Sequence, residues 1–270
     1  MKLRVVPASR GWVWVQQGLG LCIKQPMGLV SLLGLILTLG MLLWAFQIIG
    51  LIIAVMAMPL FWMSFMLAAR RVTMSERISP AVLIEPLRDP AERVAWLKLG
   101  GMYVLGVVAI SLLASVLGPS MEELSDAVDA AAKSDVPTAD PVILQSVLWR
   151  VALSLPLSLA FWHTPALVHW ARVPPVKALF FSVVASWRNL GAFVVYGACW
   201  LAVLGAGGAV VQVISAISPD SIVSTLAVVF TGMWIAAAFY SSLYFSVTDC
   251  FEPPESATQD SLVTPSSGQA

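Results

Sequence analysis

Six long runs of apolar residues, separated by charged or proline-containing segments, constrain this chain more than any other feature of its sequence. In helical form, roughly 20 apolar residues cross a hydrocarbon core of about 30 Å. Only helices and closed barrels satisfy their backbone groups in lipid, and barrel strands alternate apolar with polar residues. Because these runs are continuous, we predict an all-α, polytopic membrane protein. Its six-helix domain, residues 27–247, has predicted spans at 27–44, 48–69, 96–117, 142–162, 190–214 and 221–247.

Composition agrees with this class, since 59% of the residues are apolar and only 11% are charged, far from the balance of a soluble domain. The first apolar run begins too late and lasts too long for a cleaved signal peptide, so we expect it to be retained. The three cysteines are scattered along the chain and show neither a disulfide framework nor the spacing of a metal site.

The positive charges predict the orientation of the chain. Lys and Arg in short loops resist translocation across the membrane. Thirteen of the fifteen cations lie before the first span, between the second and third spans or at the start of the third (Lys98), or between the fourth and fifth. We therefore predict cytoplasmic N- and C-termini (N-in/C-in). The opposite side has a large acidic loop whose sequence predicts a short helix capped by Ser120 and Glu123. Its carboxylates lack the ordered spacing of a calcium loop.

Two segments outside the spans have their own predictions. Residues 1–26 are predicted to form a cytoplasmic interfacial arm, a helix that begins after Ser9 and ends at Pro26. One face of this helix is expected to lie in the membrane surface and carries Trp12, Val15, Leu19, Cys22 and Ile23. Residues 248–270 are acidic and rich in proline and serine, which predicts a disordered cytoplasmic tail.

The segment from Ser154 to Gly197 predicts an elbow at the membrane surface, where chemistry is most expected. After Pro174 and Pro175, apolar residues recur at helical spacing: Val176, Leu179, Phe180, Val183, Val184 and Trp187. The other side of this amphipathic helix has two cations and two hydroxyls: Lys177, Arg188, Ser182 and Ser186. His163 and His169, also in the elbow, would suit acid–base chemistry or ligation. Their spacing has no metal signature, so we interpret both as interfacial residues without chemistry.

Arg150 lies roughly two turns inside the fourth span, where a bare cation costs about 2.5 to 3.5 kcal/mol. Two alternatives remain open: snorkelling to the outer interface beside Trp149, or pairing with backbone carbonyls or Gln212. In the sixth span, Tyr244 is expected at the same membrane level as His163. The complete set of candidate lipid or ligand contacts is Arg150, His163, His169, Trp170, Arg172, Lys177, Trp187, Arg188 and Tyr244.

Two stretches, PASRGWVWVQQG near the start and PALVHWARVPPVKALFFSVVASWRNLGAFVVYG later, resemble a family of uncharacterised bacterial inner-membrane proteins. The resemblance covers nearly the whole chain and implies a multi-pass protein of the bacterial inner membrane. The family has no established activity. It also implies an aromatic and a small residue at the positions of His163 and Thr164, which argues against catalysis by His163.

The residues within the spans distinguish three classes of function: a transporter, an enzyme and a non-enzymatic membrane protein. Residues 27–69, 99–117, 142–162, 190–214 and 221–247 contain no Asp or Glu, which argues against a proton or cation relay. Neither an HExxH helix nor a GxSxG elbow is present, so we expect no enzyme, no catalytic residue and no cofactor. We favour a non-enzymatic protein that organises lipid or partner proteins; the alternative is a transporter of a neutral or anionic solute. Membrane lipids, especially anionic ones, are the expected partners, and no charge pattern indicates nucleic acid.

Overall fold

The computed structural model of the protein describes residues 2–133, 140–219 and 221–252, without the side chains of residues 132 and 133. Within these residues there are ten α-helices: α1 (Arg10–Lys24), α2 (Pro26–Trp44), α3 (Gln47–Thr73), α4 (Pro90–Leu117), α5 (Met121–Lys133), α6 (Pro141–Trp162), α7 (Thr164–Ala171), α8 (Pro175–Arg188), α9 (Leu190–Ile217) and α10 (Ile222–Cys250). Two short 3-10 turns, Pro80–Leu83 and Glu85–Leu87, connect α3 to α4.

Six of these helices are long and apolar enough to cross a membrane: α2, α3, α4, α6 (continued by α7), α9 and α10. The prediction of an all-α, polytopic fold with six transmembrane helices is therefore confirmed. The structure extends several helices past the predicted spans. The third spanning helix, α4, begins at Pro90 because the Asp89 side chain accepts a hydrogen bond from the Ala91 N–H at its first turn.

The acidic loop contains the short helix that its sequence predicts. The Ser120 hydroxyl accepts from the Glu123 N–H (3.1 Å), and Glu123 Oε2 accepts from the Ser120 N–H (2.8 Å). This reciprocal pair is a capping box, and it satisfies two backbone donors at the start of α5. The Ser120 hydroxyl also lies 3.0 Å from Glu123 Oε2, and the hydrogen bonds that the carboxyl receives from the Ser120 N–H and hydroxyl lower the pKa of Glu123.

The predicted surface face of the N-terminal arm is wrong. Trp14, which is not on the predicted face, is fully buried beside Val15. Trp12, which is on that face, is 47% exposed. Helix α1 packs against α9 and α10 and forms part of the bundle core. The apolar periodicity of this helix alone did not identify the side that binds the rest of the protein.

Two features explain why α1 turns this side inward. The indole N–H of Trp14 donates to Asp249 Oδ2 (2.7 Å), and the Arg10 Nε–H donates to the same oxygen (2.7 Å), so the buried indole has a polar partner. A Cβ atom at Gly11 would overlap the carbonyl oxygen of a residue in α9, and one at Gly18 would overlap Ser242 of α10. These glycines allow close approach of the helices.

The two ends of the described chain meet at the same end of the bundle. Leu3 and Phe251 form an isolated antiparallel bridge, and the Arg4 N–H donates to the Cys250 carbonyl (2.8 Å). Asn189 holds the N-terminal segment by accepting from the Val6 N–H (2.7 Å). Helix α10 includes residues 248–250 of the predicted tail, and residues 253–270 of that tail lie outside the described residues.

Side chains are buried mainly at one end of the bundle. We call this the cation-rich end; it contains α1, α7, α8 and the meeting chain ends, while α5 marks the opposite, acidic-loop end. The segments Met63–Ala69 and Ile235–Cys250 lie toward the cation-rich end and supply many core residues. Toward the acidic-loop end, large apolar side chains such as Trp44, Val116 and Ile217 are exposed. Such side chains suit contact with lipid rather than water.

Candidate functional site

Helix α8 presents its apolar face away from the protein. Ala178 and Ala185 are fully buried on the side that packs against α6. On the predicted apolar face, Phe180 is 64% exposed and Trp187 is 71% exposed. In a chain of this class, an exposed apolar face on a helix at the end of the spans is suited to contact with acyl chains. The two cations of α8, Lys177 and Arg188, are exposed as well.

The hydroxyls of α8 correct part of the sequence prediction. Ser182 and Ser186 were placed on the side of Lys177 and Arg188, but both are fully buried. The Ser182 hydroxyl donates to the Leu159 carbonyl (2.8 Å) and accepts from the His163 N–H (3.0 Å). In a continuous helix these two backbone groups would bond to each other. Ser182 therefore bridges the break between α6 and α7 and attaches α8 to it.

A charge cluster formed by Asp89, Glu92, His169 and Arg172 joins the start of α4 to the end of α7. Glu92 is only 4% exposed, and its Oε2 lies 2.7 Å from His169 Nδ1. Arg172 pairs with the other oxygen of Glu92, and its Nη1 lies 2.8 Å from Asp89 Oδ2. The Ala91 N–H and the Arg172 guanidinium together lower the pKa of the Asp89 carboxyl. The cluster is a tertiary clamp at the cation-rich end.

The charge cluster changes how two candidate lipid contacts are interpreted. His169 and Arg172 are both engaged by carboxylates, so their polar groups are already satisfied within the protein. Arg172 also ends α7 in the left-handed conformation (φ 54°). Sequence spacing did not reveal this arrangement, because Glu92 lies far from both residues along the chain. The one sequence feature that could have indicated the charge cluster is Glu92, a carboxylate one helical turn before Trp96 at the start of a predicted span.

His163 lies out of reach of lipid, which corrects the expectation of an interfacial histidine. Its side chain is fully buried, with the rings of Phe193 and Phe251 at 5.8 and 5.3 Å between centroids. Within the described residues neither ring nitrogen has a hydrogen-bond partner. His163 lies at the break between α6 and α7, where its ring is buried in the core and Phe251 packs beside it.

Trp170 and Tyr244, two further candidates, are brought together by α7 and α10. Their rings meet edge to face with centroids 5.9 Å apart. Both side chains are partly buried and pack against the core. This contact leaves only part of each ring open to a lipid.

Arg150 lines a cleft of about 670 Å³ between α4 and α6 near the acidic-loop end. Its neighbour Trp149 lies beside Gly118, where α4 ends, so Arg150 lies close to that end of the membrane span. In the part of the chain that is described, Arg150 makes no hydrogen bond or ion pair, and Gln212 is not its partner. Likewise, no group of three or more His, Cys, Asp or Glu residues in the described ranges has the arrangement of a metal site.

These features define a multi-pass α-helical membrane protein with an exposed apolar face on α8 and a cleft that contains Arg150. A probable inner membrane protein of Burkholderia thailandensis is 33% identical to this chain over 256 residues, covering 93% of this chain and 94% of that relative. The chain belongs to this family of inner membrane proteins and is itself a multi-pass protein of the bacterial inner membrane, as its motifs predicted. No family model matches the chain, and no solved structure matches it.

Proposed function

We propose that this inner-membrane protein is a non-enzymatic organiser of anionic lipid at the cytoplasmic face, and that α8 is its main lipid contact. One observation carries the proposal: α8 binds the protein through alanine and serine and leaves Val176, Phe180 and Trp187 exposed. These apolar side chains would enter the acyl boundary of the leaflet. The aromatic ring of Trp187 suits the headgroup level.

The charges of α8 supply the preference for anionic lipid. Each cation near an anionic leaflet gains about 1 kcal/mol. Lys177 and Arg188 are exposed near opposite ends of the helix and have no ion-pair partner in the described residues. By contrast, Arg71 pairs with Glu85, and Arg172 pairs with Glu92. We therefore propose that α8 alone, and not the whole cation-rich end, makes the specific lipid contact.

A double variant tests this proposal. Lys177→Gln with Arg188→Gln should lower the phosphatidylglycerol and cardiolipin retained by the purified protein, measured by native mass spectrometry. The matched control, Arg77→Gln with Arg88→Gln, removes two other exposed cations of the same end and should retain as much lipid as the wild type. Equal losses in the two double variants would mean that the cations only attract lipid non-specifically, and unchanged retention in both would reject the proposal.

A transporter of a neutral or anionic solute is the second candidate. The cleft beside Arg150 favours it, because a lone guanidinium in a polar cleft suits an anion. Toward the cation-rich end, however, the cleft is closed by packed aromatic rings. The ring of Tyr103 lies between those of Trp62 and Phe161. Transport would require these rings to separate. Uptake of an anionic solute by proteoliposomes, lost in Arg150→Leu, would favour this function over the first.

A further inference from the structure

A polar stripe runs along the side of α6 that faces the cleft. Ser146, Arg150, Ser154 and Ser158 recur every four residues and all line the cleft. Residues spaced in this way share one helical face. Across the cleft, α4 adds Ser111 and Ser115. The stripe is unusual in a spanning helix, since the neighbouring Val147, Val151 and Leu155 are apolar and exposed.

Arg150 is the charged member of this stripe, and its exposed guanidinium is available to an anionic partner. Its guanidinium presents five donors in a planar fork that matches phosphate or carboxylate oxygens. None of these donors is used within the described chain. The Ser154 and Ser111 hydroxyls donate to carbonyls of their own helices, at 2.8 and 2.9 Å. In this state their oxygens can accept hydrogen bonds only from donors such as the ammonium or hydroxyl groups of a lipid headgroup, and a hydroxyl must turn away from its helix carbonyl to donate to an ester oxygen.

The depth of the cleft matches the headgroup region of the leaflet. Trp149 beside Gly118 marks the end of α4, and tryptophan is enriched at membrane interfaces. Ser154 lies one helical turn, about 5 to 6 Å, farther into the membrane than Arg150. Farther into the membrane, the apolar side chains of Val107, Ile110 and Leu157 share the lining with Ser158 and Tyr103. A guanidinium near the membrane surface, with hydroxyls and apolar side chains below it, suits a phosphate and the start of an acyl chain.

We infer that the cleft between α4 and α6 is a binding site for one phospholipid of the outer leaflet, with its phosphate on the Arg150 guanidinium. The glycerol and ester region lies beside Ser154, and the start of an acyl chain lies along the apolar wall. A cleft of about 670 Å³ is larger than a bare phosphate requires. This site is separate from α8 and lies at the opposite end of the bundle, so it does not depend on the proposed function.

Native mass spectrometry of the delipidated full-length protein tests the phosphate contact. Phosphatidylglycerol, phosphatidylethanolamine and a diacylglycerol with the same chains are titrated in turn. Arg150→Gln should weaken binding of both phospholipids at least about tenfold, as expected for loss of a charge-assisted contact, and leave diacylglycerol binding unchanged. Arg150→Lys should bind phospholipid with intermediate affinity, because an ammonium lacks the planar fork. Unchanged phospholipid binding in Arg150→Gln would overturn the assignment.

Two further measurements locate the site and identify the source of the phosphate. Ser154→Phe should fill the cleft and reduce binding of all three lipids, and a photoactivatable phospholipid should crosslink to peptides of α4 and α6. Crosslinks confined to other helices would reject the site even if a variant misfolds. Displacement of the lipid by millimolar inorganic phosphate would show that the cleft takes a soluble anion instead. Lys177→Gln with Arg188→Gln can lower the total phospholipid bound through α8, but it should leave the crosslinks to α4 and α6 and the effect of Arg150→Gln unchanged, which separates this site from α8.

Discussion

The two histidines of this protein have opposite surroundings. His169 contacts the buried carboxylate of Glu92, whereas the His163 ring nitrogens have no partner within the described residues. A buried polar group without a hydrogen bond costs about 1 to 3 kcal/mol, while a paired one contributes to stability. Replacing each histidine by an apolar residue is therefore expected to change the free energy of unfolding in opposite directions.

His163→Leu and His169→Leu form a matched pair that tests this difference. His163→Leu is expected to leave thermal stability unchanged or raise it by about 1 kcal/mol, because it removes an unsatisfied polar ring. His169→Leu is expected to lower stability by about 1 to 3 kcal/mol, because Glu92 loses a hydrogen bond while buried. Thermal unfolding in a mild detergent measures both. A larger loss for His163→Leu than for His169→Leu would indicate that His163 has a partner in solution.

At the scale of single helices, α1 is held by close approach at two glycines as well as by buried apolar side chains such as Trp14 and Val15. Gly18 contacts α10 so closely that an added Cβ would overlap Ser242 and the Ala238 carbonyl. Gly20, in the same helix, has open space at the equivalent position. These two glycines therefore separate the effect of packing from the effect of helix propensity.

Gly18→Ala is expected to destabilise the protein by about 1 to 3 kcal/mol through overpacking. Gly20→Ala should instead stabilise it by up to about 1 kcal/mol, because alanine is the better helix former and nothing obstructs its methyl group. Thermal unfolding of the two purified variants gives the comparison. If both substitutions stabilise the protein, α1 does not pack on α10 in the membrane as it does in this structure.

The α1 and α8 helices also show what the sequence could predict at this scale. The amphipathic pattern of α8 was readable because apolar residues such as Val176, Phe180 and Trp187 recur at helical spacing on one face, which points away from the protein. The inward side of α1 was not readable, because it depends on Asp249, far away in the chain, and on glycines that carry no hydrophobic signal. The charge cluster was missed for the same reason, since Glu92 and His169 meet only through the fold.

For the whole molecule, the six spans were predictable because the need to satisfy backbone groups in lipid leaves few alternatives. The uneven packing of the bundle was not predictable, because the hydropathy of a span does not show which of its apolar side chains pack against protein. Burial separates them: the core lies toward the cation-rich end, and the helices expose their apolar side chains toward the acidic-loop end. A lipid-filled cleft and a lipid-bound surface helix at opposite ends are both compatible with this packing.

Orientation is the whole-molecule property on which the assignment of both proposed sites to leaflets depends. Thirteen of the fifteen cations favour a cytoplasmic location for the cation-rich end, because Lys and Arg resist translocation. The meeting of Leu3 with Phe251 requires both ends of the described chain to lie on one side. Reporters fused within residues 118–141 should therefore report the periplasm, and those after Arg71, Arg172 or Ala270 the cytoplasm. A cytoplasmic signal from the acidic loop would reverse the leaflets of α8 and of the Arg150 cleft together.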